Sequence, residues 1–114
     1  MPHPDRRQKL LSDMLASARA IIRNTAGLSM EDLVHDELRR KAMERDFIIL
    51  GEAARRLRDE FKAAEQHPGI PWEGFISLRN VIVHVYDELD FNLIERAIVR
   101  RLPELIQLLE SLLP

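Results

Sequence analysis

Apolar residues recur along this chain at the three- and four-residue spacing of helices packed against a core. No segment sustains the alternation of period two that marks a half-buried strand. Leu11, Met14, Leu15, Ala18, Ile21, Ile22 and Thr25 form the first stripe. With Asp5 as N-cap and Gly27 closing the far end, they predict a helix from about residue 5 to 25. Ser29 with Asp32 three residues on makes a capping-box-like start, with Asp where Glu is preferred. Helical residues then run from about 30 to 64, with Leu33, Leu38, Ala42, Phe47, Leu50, Ala54, Leu57 and Phe61 as the buried stripe. One long bent helix and two helices broken near residue 40 both fit. Gly51 interrupts this run at a cost of roughly 1 kcal/mol in a helix interior, which points to a close helix–helix approach there.

The clearest loop is His67-Pro68-Gly69-Ile70-Pro71. Pro71 suits the first position of the next helix, which carries Trp72, Phe75, Ile76 and Leu78. Asp87-Glu88-Leu89-Asp90 reads as a turn, with Asp90 capping a last helix that bears Leu93, Ile94, Ala97, Ile98, Leu102, Leu105, Leu108, Leu109 and Leu112. Pro103 lies inside that helix and removes a backbone hydrogen bond, so a kink is expected near Val99. The expected fold is all-α, a bundle of four or five helices forming one domain over residues 1–114. Leu108, Leu109, Leu112 and Leu113 cover more than one narrow stripe. They fit a surface shared with a second chain as well as a helix buried in its own bundle.

Composition narrows the function classes. No apolar run approaches the ~20 residues of a membrane span, and the polar start Met-Pro-His-Pro-Asp-Arg-Arg lacks the apolar core of a signal peptide. The absence of cysteine excludes disulfides and thiolate metal sites, and a cytoplasmic location is expected. The formal net charge of −2 gives the whole molecule no global attraction to nucleic acid. Of its 17 basic residues only Lys9, Lys41 and Lys62 are lysines. The excess of arginine suits bidentate contacts to phosphate, and a codon bias would produce it too.

His3, His35, His67 and His84 are scattered, and Asp32-Leu33-Val34-His35 supplies only a single Asp-x-x-His spacing. No glycine-rich phosphate loop is present, and no serine has an obvious local base. The chemistry concentrates in Arg79-Asn80-Val81-Ile82-Val83-His84-Val85-Tyr86, where Arg, amide, His and Tyr are separated only by Val and Ile. Asn80 and His84 fall within roughly 40° of each other on a helix, and Arg79 lies roughly 140° from His84. Joint action needs Arg79 to reach around, the helix to end near His84, or a second copy to complete the site. An imidazole able to move protons near neutral pH, beside a guanidinium able to neutralise a phosphate, suits RNA cleavage by the RNA's own 2′-hydroxyl. That reaction needs no metal, thiol or nucleotide cofactor. A buried His84–Tyr86 pair with a surface Arg79 is the purely structural alternative.

The motif resembles that of the HEPN superfamily, specifically the HepT-like toxins of HepT/MntA toxin–antitoxin systems: Arg, a polar residue, a short spacer, His, any residue, Tyr. Ile48-Ile49-Leu50-Gly51-Glu52-Ala53-Ala54 resembles the family's Gly-Glu-Ala helix segment, and Ile70-Pro71-Trp72 its Ile-Pro-Trp lead into the motif helix. The three matches span about residues 47–91. The resemblance implies a helical homodimer whose motif helices meet at a shared cleft. It implies metal-independent endoribonuclease activity with no cofactor: His84 is the acid/base, Arg79 holds the scissile phosphate and Asn80 orients one of them. It also implies a nucleotidyltransferase antitoxin that places AMP on Tyr86. The same bundle could instead serve as a non-catalytic docking subunit for such a nucleotidyltransferase.

Overall fold

The computed structural model describes residues 4–84 and 89–114, and every regular element among them is helical. The helices are α1 (Pro4–Thr25), α2 (Met30–His35), α3 (Glu37–Phe61), α4 (Ala63–Gln66), α5 (Trp72–His84), α6 (Phe91–Arg96) and α7 (Leu102–Leu112). A π-helical turn, Ala97–Arg101, joins the last two. Four long bodies make the bundle: α1, α3, α5 and the α6–α7 run. α3 packs against α1 and also against α5, and α7 closes on α1. The core lies between them, with Met14, Ala18 and Ile21 from α1, Leu50 and Leu57 from α3, and Leu102, Leu105 and Leu109 from the C-terminal run fully buried.

Local chemistry sets the boundaries. Gly27, at φ +79°, takes the left-handed conformation just past α1. Ser29 and Asp32 form a reciprocal capping box: Ser29 Oγ accepts from the Asp32 N–H at 3.0 Å, and Asp32 Oδ2 accepts from the Ser29 N–H at 3.2 Å. The long helical stretch is two helices, broken at Asp36. Its carboxylate accepts the Arg39 N–H at 3.1 Å and starts α3 afresh. That new start turns Leu38 outward, 82% exposed, so its expected place in the buried stripe is corrected. A second interruption falls inside the stretch expected to be helical to about 64. Lys62 adopts φ 54°, ψ 37°, which ends α3 and leaves Ala63–Gln66 as a separate turn.

The loop before α5 is anchored at both ends. Trp72 Nε1 donates to the His67 carbonyl at 3.0 Å, and Arg7 Nη2 donates to His67 Nε2 at 3.0 Å. Pro71 precedes the first residue of α5, and its carbonyl accepts from the Gly74 N–H at 3.1 Å. Asp90 caps α6 by accepting the Asn92 N–H at 2.9 Å; Asp87 and Glu88 of the expected turn lie outside the described residues. The irregularity expected near Val99 is the π turn, in which the Leu102 N–H bonds the Ala97 carbonyl five residues back. Pro103, which has no N–H to donate, follows directly in the first turn of α7. The apolar surplus of the last helix is taken up largely within the chain: Leu109 is buried, and Leu108, Leu112 and Leu113 pack half-buried against the core. Leu93, expected in the core, is instead 41% exposed.

Candidate active site

α5 presents different residues to different neighbours. Trp72, Phe75, Ile76 and Ile82 enter the core, whereas Ser77, Asn80 and His84 are exposed on its outer side. Among the described residues α5 runs as far as His84, and residues 85–88 lie outside them. Arg79 bends toward its neighbour, and its Nη1 donates to Asn80 Oδ1 at 2.8 Å. Asn80 is thereby the point where the guanidinium meets the face that carries His84. Among the described residues His84 is exposed, while Arg79 is 28% exposed and wedged against α3. Tyr86 lies outside the described residues.

Gly51 explains how α5 comes so near α3. A Cβ at this position would overlap the Arg79 Cβ and lie 2.9 Å from both the Arg79 Cγ and the Phe75 carbonyl oxygen. The close approach expected at Gly51 therefore occurs, and the residue it admits is the motif arginine. One turn of chemistry follows immediately. Glu52 Oε2 faces Arg79 Nη2 at 3.9 Å. Glu52 also accepts from Arg55 Nη2 at 2.7 Å and Nε at 3.2 Å, and from Arg56 Nε at 3.3 Å. The Arg55 hydrogen bond, against some burial, holds the Glu52 carboxyl below the usual carboxylate range, so it is an anion facing Arg79. Arg79 Nε is buried and has no hydrogen-bond partner among the described residues.

Glu52, quoted in the sequence only as part of the Gly-Glu-Ala segment and given no role there, is the carboxylate that faces Arg79. The signal was its position next to Gly51 in a helix: once glycine marks the point of contact, its neighbour is the first polar group able to face what comes through. In the first turn of α5, Glu73 accepts from Arg58 Nη1 with both carboxylate oxygens, at 2.9 and 3.0 Å, tying the start of the motif helix to α3. The arrangement can therefore hold one cation in a set orientation beside an amide, with an exposed imidazole one turn further along α5. That is a constellation for gripping an anion and moving a proton next to it. Among the described residues, no helix is long and apolar enough to cross a membrane.

Comparison with known proteins gives the same direction. The pattern of the family described as "Ribonuclease HepT-like" matches residues 14–112. A protein named "Putative RNase" from Caldanaerobacter subterraneus subsp. tengcongensis is 30% identical over 103 residues, covering 90% of each chain. One named "Probable ribonuclease HepT" from Thermococcus cleftensis is 28% identical over 95 residues, covering 83% of this chain and 84% of its own. No solved structure matches the chain significantly. With a match that takes in the helices on both sides of the motif, this chain belongs to the HepT-like ribonuclease family of the HEPN superfamily.

Proposed function

We propose that the chain acts as a single-domain, metal-independent endoribonuclease toxin, with Arg79, Asn80 and His84 as its catalytic residues. The observation that carries this is the setting of Arg79, held between Glu52 behind it and Asn80 in front. An arginine kept only for stability would be satisfied by the carboxylate. This one extends past it to Asn80, on the face of α5 that carries His84. In the reaction, a 2′-oxygen of RNA attacks the adjacent phosphorus and the bond to the 5′-oxygen breaks, leaving a 2′,3′-cyclic phosphate and a 5′-hydroxyl. His84 takes the proton from the attacking hydroxyl or gives one to the leaving oxygen. Arg79 balances the charge that grows on the phosphate. A homodimer in which two α5 ends face one another would supply one histidine for each proton transfer.

The partner in this reading is a nucleotidyltransferase antitoxin of the MntA type, transferring AMP to Tyr86. An anionic group two residues from His84 would obstruct the cleft and repel the RNA phosphate. The protein acts in the cytoplasm, where RNA and ATP are both present. The test is purified protein with single-stranded RNA in excess EDTA, wild type beside His84→Ala, with the mass of the Tyr86 peptide measured on each preparation. Cleavage by wild type alone supports the reading. Unmodified wild type that leaves RNA intact refutes it and favours the docking-subunit role, in which Tyr86 is modified and RNA untouched.

A further inference from the structure

Beyond the motif, α5 has a second neighbour. Its flank facing the C-terminal run forms, with α6 and the π turn, a groove of about 220 Å³ lined by Gly74, Ser77, Leu78, Val81, Leu93 and Arg101 among others. Arg101 is exposed, and its Nη1 lies 3.9 Å from where a Gly74 Cβ would stand, so the guanidinium rests over the motif helix at a residue with no side chain. Ser77, exposed and also lining the groove, is one heptad before His84 and thus on the same side of α5. From Gly74 to Asn80 is about 9 Å along the axis at ~1.5 Å per residue. The Ser77 hydroxyl, the Asn80 amide and the His84 imidazole therefore lie within about 60° of one another on α5, with the Arg101 guanidinium at its Gly74 end.

The charges on the two sides of α5 are treated differently. On the α3 side, Arg55, Arg56, Arg58 and Arg79 each face a carboxylate. Arg100 and Arg101 make no ion pair or hydrogen bond among the described residues, and Arg96 reaches only the Asn92 carbonyl at 3.5 Å. The chain carries net charge −2, so these three exposed arginines on consecutive turns are a local cationic step in an otherwise acidic molecule. The wider π turn brings Arg96 and Arg101 closer in angle than the roughly 140° of a regular α-helix. Contacts to phosphate set the register of a nucleic-acid strand without reading its bases.

We propose that Arg101, supported by Arg96 and Arg100, is a phosphate-binding subsite that positions the RNA strand beside the cleaved linkage, along the α5–α6 groove. This rests on the ribonuclease reading above. Arg101 positions the strand and takes no part in the bond changes.

The test measures binding of labelled single-stranded RNA in a His84→Ala background across salt concentrations, with and without Arg101→Ala, and steady-state cleavage with His84 intact. Arg101 is exposed, so its truncation leaves the core untouched, and circular dichroism checks that. Losing one phosphate contact should reduce the salt slope by ~0.7 for a single strand. The dissociation constant and KM should rise roughly three- to tenfold, as for one exposed charge-assisted contact, with kcat unchanged. Arg101→Lys should keep the slope. Arg23→Ala, which removes the same charge from α1 outside the groove, should not alter it. An unchanged slope and KM in Arg101→Ala, or an equal loss in Arg23→Ala, overturns the subsite while leaving the ribonuclease reading standing. Loss of nucleotidyltransferase binding with RNA affinity intact would make Arg101 a protein contact and overturns it too. Wild type that neither binds nor cleaves RNA sinks both.

Discussion

Replacing Gly51 by alanine tests the link between packing and site most directly. In an open helix interior this change is stabilising, by about 1 kcal/mol, because alanine restricts the unfolded chain and glycine does not. At Gly51 the new methyl has nowhere to go. It would overlap the stem of Arg79 at Cβ and come within 2.9 Å of Cγ and of the Phe75 carbonyl oxygen. None of these is the free end of a flexible side chain, so α3 and α5 must separate. Overpacking of this kind costs about 1–3 kcal/mol. Set against the propensity gain, the expected result is a net loss of about 1 kcal/mol, read by urea unfolding, or a fall in Tm of roughly 4–8 °C for each kcal/mol. The separation also draws Arg79 away from Glu52, so cleavage should fall by more than the loss of folded protein explains. An alanine variant as stable as wild type, with unaltered cleavage, would refute both the contact and the role assigned to it.

Other outcomes follow from the charges. Glu52→Gln removes the anion behind Arg79 and should lower kcat for RNA cleavage while changing stability by less than about 1 kcal/mol, because the side chain is 32% exposed. Glu52's folded-state pKa is depressed below 4.5, so its contribution to stability is present above that value and lost as pH falls through the folded pKa. Acid unfolding curves of wild type and Glu52→Gln should therefore converge at low pH. Asp46 behaves in the opposite sense: burial raises its carboxyl above 3.8 despite Arg23 and Arg45, so ionising it opposes folding and its cost appears as pH rises through that range. Asp46→Asn should be more stable than wild type at pH 7 and lose that advantage near pH 3, as measured by thermal unfolding at the two values. Ser29→Ala, which breaks one arm of the capping box, should cost about 1 kcal/mol without affecting cleavage, since α2 is remote from the α5 motif along the chain.

What the sequence determined by itself was local in origin. The stripe from Leu11 to Ile21 faces the core because a period of 3–4 leaves one side of a helix apolar, and this needs no knowledge of the neighbour. Ser29 with Asp32, and Asp90, cap helices because their side chains bond N–H groups two or three residues away. Gly51 marked a contact before its partner was known, since a helix rarely keeps a glycine without a reason. The tertiary structure decided the rest. Asp36 and Lys62 interrupt a stretch whose propensity is helical throughout, and the break at Asp36 turns Leu38 to solvent. The pairing of Glu52 with Arg79 joins residues 27 positions apart, and the bend of Arg79 toward Asn80 depends on that carboxylate and on the gap at Gly51. Periodicity reports which side of each helix is buried. Which charges then meet across two buried sides depends on how closely and at what register the helices pack, and that is settled only when the whole core is assembled.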